Sequence, residues 1–181
     1  MRDAPASARL VEDFANTLDV YLDTDALTTP ARLADWLRER GLLDRPRRVT
    51  AEDHALGLAL RAGIRERLGS HVGDEPDAAV LAAADAALGR LTVCVTVHGA
   101  ARPADGLPPV RQALARLAIA WNELVTTGEH VRLKRCAEHT CAEAFWDVSK
   151  NRSRRWCSMS VCGNRVKARR HSARQRGVGG A

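Results

Sequence analysis

Four of the chain's five cysteines, Cys136, Cys141, Cys157 and Cys162, stand close together near the C-terminal end. They form two C-x4-C pairs separated by fifteen residues. Nothing else in the sequence restricts the fold so tightly. Two close pairs joined by a loop of this length can converge on one point, and soft thiolate ligands suit a tetrahedral zinc ion. A four-sulfur set closes the coordination sphere, so the expectation is one structural Zn2+ with no open position for catalysis. Two disulfides, or four free thiols in a core, are the competing readings. Residues 1–20 include Arg2, Asp3, Arg9, Glu12, Asp13 and Asp19 and hold no apolar segment of the signal-peptide kind. That predicts a cytoplasmic chain with reduced thiols, which weighs against disulfides. His139, between the first two cysteines, is the one alternative ligand. Cys94 is left over, and a small buried strand residue is all its position calls for.

The same region is the basic part of the chain. Arg132 to Arg176 holds 13 Lys and Arg against 3 Asp and Glu, while the whole chain carries a formal net charge of +6. Residues 1–131 are therefore net acidic. Ten basic residues follow Asp147 without an acidic one. Such asymmetry points to a polyanionic partner; a solvated surface would intersperse the two signs. Nucleic acid, as duplex DNA, is the expected partner, with RNA as the alternative. The candidate contacts are Arg152, Arg154, Arg155, Asn164, Arg165, Lys167, Arg169 and Arg170. Arg165, Arg169 and Asn164 are the side chains suited to base edges, although phosphate contact explains any single Arg equally well. An Arg169→Ala/Arg170→Ala change should separate DNA binding from a role in which the zinc module only staples the terminus.

Within the module, Cys136 to Cys141 reads as a knuckle that turns both sulfurs inward. Residues 144–148 and 154–156 read as two strands of a hairpin, with the turn at 150–153. Ser158 reads as the N-cap of a helix carrying Cys162 in an early turn. Knuckle, hairpin and helix together make a treble-clef-like module. Trp146 and Trp156 are expected in its core, with base stacking as the other use. Gly163 costs about 1 kcal/mol in a helix relative to Ala, which suggests a close approach there.

Upstream, the periodicity predicts helices over 7–18 with Ser7 as N-cap, from Pro30 to Gly41 behind Thr29, over 50–68 behind Thr50, over 77–89, and over 109–127. Leu56, Leu60, Ile64 and Leu68 recur four apart on the third. Gly57 and Gly63 either weaken that helix or permit close packing. Val110, Leu114, Leu117, Trp121 and Leu124 form the stripe of the last, which is expected at the centre of the core. Residues 91–97 alternate as a strand, and 99–109 reads as loop. Asn16 either pairs with backbone or faces a partner. His54 and His71 are expected to be exposed. The fold class is α+β: a mainly helical N-terminal domain with a small β element over 1–130, the zinc module over 131–176, and a flexible tail over 177–181. No apolar run is long enough to span a membrane.

CGNR at Cys162–Arg165, preceded by Ser153-Arg-Arg-Trp-Cys-Ser-Met-Ser-Val-Cys162, resembles the CGNR zinc-finger family. Asp13-Phe-Ala-Asn-Thr-Leu-Asp19 resembles its usual companion, the ABATE domain, and together they cover nearly the whole chain. The resemblance implies a bacterial transcription regulator, stress-linked, with a C-terminal DNA-binding zinc module. It also leaves room for a small-molecule or protein effector at the N-terminal domain. A zinc-stapled adaptor is the alternative from another class. Catalysis is not expected: a nuclease of this fold would need a catalytic His and a second metal site, and neither His139 nor His171 has carboxylates patterned around it. An oligomer is compatible with the sequence, but no heptad marks an interface.

Overall fold

Helices α3 (Ala51–Ser70) and α5 (Pro109–Thr126) form the centre of the core. The Thr50 hydroxyl accepts from the Asp53 N–H at 3.0 Å and fixes where α3 begins. Leu56, Leu60, Ile64 and Leu68 are all buried along it, as their spacing requires. On α5 Val110, Leu114, Leu117 and Leu124 are buried, while Trp121 is only half-buried. α1 (Ala6–Ala15) lays Val11 and Phe14 against this pair. α2 (Pro30–Glu39) starts behind Thr29, whose hydroxyl accepts from the Arg32 N–H at 3.2 Å, and buries Leu33, Trp36 and Leu37. α4 (Ala78–Leu88) is capped by Asp77. Gly63 allows close packing: a Cβ there would lie 2.2 Å from the Cβ of Ala84, so only glycine at this position lets α3 and α4 approach so closely. The structure is a computed structural model, and it describes residues 3–178 except for the side chains of Arg170, Arg174 and residues 176–178.

Several local expectations are overturned. The first helix stops at Ala15, and Leu18–Asp19 (β1) pairs antiparallel with Thr24–Asp25 (β2). The residue before α1 is Pro5, while Ser7 is buried within the helix with its hydroxyl unpartnered among the described residues, so it is not the N-cap. The strand predicted over 91–97 is only Val93–Val95 (β3). Its partner is Ala101–Pro103 (β4), within the stretch expected as loop, and the connection turns through Gly99 at φ +79°. Leu91 is buried but Val95 and Val97 are 72% and 95% exposed. Alternation shows which residues share a face. It does not show which face finds something to pack on. Cys94 in β3 is half-buried rather than buried. His54 and His71 are half-buried, not exposed, each within hydrogen-bonding distance of a carbonyl, Leu27 O at 2.7 Å and Leu133 O at 2.8 Å.

The C-terminal part is a β-hairpin followed by a helix, and the arrangement is α+β. A 3₁₀ turn, His130–Arg132, leads into Leu133–Arg135 (β5), which pairs antiparallel with Ala144–Trp146 (β6). The predicted hairpin between 144–148 and 154–156 is therefore corrected: β6 pairs backwards, and the Cys136–Cys141 knuckle is the hairpin's own loop. Burial decides the pairing, since Leu133, Ala144 and Trp146 all join the main core. Residues 154–156 run alongside instead, through an Ala137 N–H donated to Arg155 O at 2.8 Å. A π-type turn, Met159–Gly163, then opens α6 (Asn164–Val178). Ser158 caps it by accepting from the Val161 N–H at 3.3 Å. α6 runs into the stretch expected as a tail, and residues 179–181 lie outside the described part.

Candidate metal centre and its basic surround

The hairpin loop brings Cys136 and Cys141 together, and the turn before α6 brings Cys157 and Cys162 to meet them. The Cys141 and Ala142 N–H groups both donate to Glu138 O, at 2.8 and 2.9 Å, which folds the knuckle back on itself. Ala142 takes φ +50° to complete it. At the other pair, Cys162 N–H and Gly163 N–H both donate to Ser158 O, at 3.0 and 3.1 Å. Gly163 faces the Met159 thioether, whose sulfur would lie 2.5 Å from an added Cβ.

The four sulfurs lie within 4.8 Å of one another, and the Cys141–Cys157 and Cys157–Cys162 separations are both 3.7 Å. Zinc–sulfur bonds of about 2.3 Å in a tetrahedron require sulfur–sulfur edges of about 3.8 Å. A disulfide would need about 2.05 Å, and all five cysteines are free. Burial pushes the Cys162 thiol up to about 11. Burial, the Glu143 carboxylate and the neighbouring thiols drive Cys157 higher still. Four thiols this close cannot ionise together without a cation, and a divalent ion reverses that balance. The donor set, spacing and burial fit one structural zinc. His139 is exposed on the knuckle and does not belong to the cluster. Phe145 and Trp156 wrap the cysteines in a small second core, so Trp156 is a packing residue, as Trp146 is in the main core.

What holds this centre against the N-terminal helices lies outside the cysteine motif. The Asn16 side chain donates to Ala144 O at 2.9 Å and accepts from Ala144 N–H at 2.8 Å, acting as a neighbouring strand for β6. Backbone pairing, one of the two readings of Asn16, is its role. One turn earlier, Glu12 takes a backbone hydrogen bond from Trp146. Arg65, buried in α3, donates to Ala15 O, Leu18 O and Ala142 O, at 2.7, 3.2 and 3.0 Å. Burial and the charges of Arg135 and Arg61 bring its guanidinium down to about 10, so it remains a cation. Arg61 grips Asp25 with two bonds of 2.6 Å and so fixes the β1–β2 hairpin. No periodicity signals these buried arginines. Both sit one residue after an apolar position of the α3 stripe, on ground that reads as polar.

Burial, with the nearby Asp13 and Glu143 carboxylates, raises Glu12 from 4.5 to about 7. A carboxyl raised in this way favours the folded state below pH 4.5, and that contribution is lost as pH rises through about 7. Glu12→Gln keeps an acceptor for Trp146 and removes the charge. Its melting temperature should therefore exceed that of the unsubstituted chain at pH 8, with the gap closing towards pH 5. Paired thermal melts across that range check the sign; a constant gap would place the titration elsewhere.

The seven predicted nucleic-acid contacts whose side chains are described divide into three groups. Arg152, Arg155 and Lys167 are exposed and make no ion pair among the described residues. Asn164 is exposed, with its amide donating to Ser160 O at 2.9 Å. Arg154, Arg165 and Arg169 are engaged within the protein. Arg154 donates to Cys157 O and sits 5.1 Å over the Phe145 ring. Arg165 lies 4.9 Å over Tyr21. Arg169 pairs with Glu138, whose side chain is 1% exposed. The side chain of Arg170 lies outside the described residues.

Comparison with known proteins agrees with this architecture. Residues 132–175 match the CGNR zinc-finger family. A search of curated proteins found no match. Residues 8–128, the helical part that clamps the zinc module through Asn16 and Arg65, match the ABATE family, described as a putative stress-induced transcription regulator, and the chain belongs to that family, with a CGNR zinc finger at its C-terminal end.

Proposed function

We propose that the chain is a cytoplasmic, non-catalytic transcription regulator that binds duplex DNA through α6 and the turn at 150–155. The observation that carries this is the run of basic residues after Asp147, held on a frame that a closed four-sulfur site makes rigid. Within it, Arg152, Arg155 and Lys167 are exposed with no intramolecular ion pair among the described residues. Free guanidinium and ammonium groups on a fixed surface suit phosphates, which position a protein on a duplex before any base is read. No helix among the described residues is long and apolar enough to cross a membrane.

The Arg169→Ala change is a poor test of this reading, because it would strand the buried Glu138 carboxylate without its cation. Arg152→Ala, Arg155→Ala and Lys167→Ala are better, since each removes an exposed, unpaired charge. With about six phosphate contacts, log K should fall against log salt with a slope near −5. Each of the three changes should flatten that slope by about 1. A titration of full-length zinc-bound protein with a DNA duplex at several salt concentrations checks this, and competition with RNA separates the two polyanions. A flat salt dependence would overturn the proposal.

A further inference from the structure

α3, α4 and α5 do not close on one another along their whole length. α3 and α4 touch at Gly63 and Ala84. Beside that contact the three helices leave a cleft of about 380 Å³, within the lower range of small-molecule sites, about 300–1,000 Å³. The composition of α4 explains the gap. Its buried residues are alanines, Ala84 and Ala87, while Leu81 and Leu88 are half-buried and line the cleft instead. Trp121 of α5 forms the facing wall. Apolar side chains therefore border a space that no part of the described chain fills.

Two charges stand at its mouth. Arg67 and Asp85 both border the cleft, both are exposed, and neither has an ion-pair partner among the described residues. An unpaired guanidinium beside an apolar wall matches an amphipathic acid: the carboxylate takes charge-assisted hydrogen bonds while the body is buried. We propose that this cleft binds a small apolar monocarboxylate, its body between Leu81, Leu88 and Trp121 and its carboxylate on Arg67. Asp85 on the same rim repels a second negative charge, which favours monoacids over diacids.

The cleft also adjoins the route to the zinc module. His130 lines it, with its ring centroid 5.3 Å from that of His71 and 6.3 Å from that of Trp121. The His71 Nδ1 donates to Leu133 O, at the start of the strand that leads to Cys136. A carbonyl can only accept, so Nδ1 carries a proton, and burial, which lowers the His71 pKa, favours the neutral ring in which Nε2 is an acceptor. That Nε2 and the His130 Nδ1 are both buried without a hydrogen-bond partner among the described residues. An occupant that shifts His130 therefore acts on an imidazole pair whose inner nitrogens are uncommitted, next to β5.

The site goes beyond the DNA reading and is tested without DNA, so each can fail alone. Full-length zinc-bound protein is titrated with octanoate, 1-octanol and octanedioate, following tryptophan emission and the melting temperature. Octanoate should give a saturable change in both, and Trp121→Phe should lose most of the emission change while keeping the melting shift. 1-Octanol and octanedioate should bind at least about tenfold more weakly, and so should octanoate to Arg67→Ala, because each loses or opposes the charge-assisted pair. Arg67 is exposed and unpaired, so its substitution leaves the fold in place. Leu81→Trp, which fills the cleft, should abolish binding, with circular dichroism confirming that it folds. No saturable response to octanoate at millimolar concentration overturns the proposal, as does equal affinity for Arg67→Ala or for 1-octanol.

Discussion

Removing zinc from the full-length protein should unfold the knuckle, the turn before α6 and α6 itself, and leave the N-terminal helices and the β5–β6 pair packed on them standing. The small core around the site consists of Cys136, Cys141, Cys157 and Cys162 with Phe145 and Trp156. Four of those six members are ligands, so little apolar surface is left to hold the module once the ion is gone. Structural zinc in finger peptides contributes about 10–16 kcal/mol, and a whole domain is stable by only about 5–15 kcal/mol. α6 is arginine-rich, and Arg169 ties it to the knuckle. A helix of that length is marginal in water without tertiary support. The core of α1, α3 and α5 contains none of the four cysteines, which is why it should survive. Metal analysis should find one zinc per chain. A chelator, or Cys157→Ser, should collapse the amide resonances of residues 136–141 and 157–178 in a two-dimensional NMR spectrum, while those of α3, α5 and the core-packed strand β6 persist. Resonances of the knuckle and α6 that stay dispersed without metal would remove the basis for a zinc-held fold.

The second large effect concerns a buried ion pair inside the zinc module that uses none of the cysteines. The Lys134 ammonium meets the Asp147 carboxylate at 2.8 Å, and their side chains are 4% and 0% exposed. Lys134 also donates to Arg152 O and Arg154 O, at 2.6 and 2.9 Å. Asp147 accepts from the Ser149 and Arg154 N–H groups, each at 2.9 Å. Burial works to raise the Asp147 carboxyl, but Lys134, Ser149 and Arg154 outweigh it and hold it at about 2. These bonds lock β5, the end of β6 and the turn at 150–155 together, directly beneath the exposed Arg152 and Arg155. Asp147→Ala leaves a buried cation unpaired and should cost about 3–5 kcal/mol. Lys134→Ala should cost a similar amount, and the double change should cost clearly less than the sum, because the two losses share one interaction. Denaturant unfolding of the four proteins in the cycle measures this. Additive losses would mean that the pair contributes nothing beyond two separate burials.

Much of this protein was legible as sequence because the relevant information is local. Covalent spacing places the cysteines in pairs, so C-x4-C, fifteen residues and C-x4-C were enough to anticipate the four-sulfur cluster. Thr29 and Thr50 mark helix starts because a side-chain oxygen can accept from an N–H three residues on, although Ser7, which reads the same way, lies inside α1. The stripe Leu56–Leu60–Ile64–Leu68 and that of α5 follow from helix periodicity and burial alone. The α+β class and the helix-first order came from the same two sources.

What the tertiary structure decided is everything that needed a distant partner. Asn16 bonds to Ala144 across 128 positions of chain, so its backbone-pairing role could be offered only as one of two alternatives. β6 pairs with β5 because Leu133 and Trp146 reach the main core, a gain invisible from the local pattern that suggested residues 154–156 as its partner. Val95 and Val97 face solvent, although their alternation is that of a half-buried strand. Arg154, Arg165 and Arg169 have the same charge as Arg152, Arg155 and Lys167, yet only the folded chain brings Phe145, Tyr21 and Glu138 against them. Sequence spacing acts through bonds and so fixes what neighbours along the chain can do. Which charges stay free and which face is covered depends on burial between residues far apart in the chain, and only the packed fold sets that.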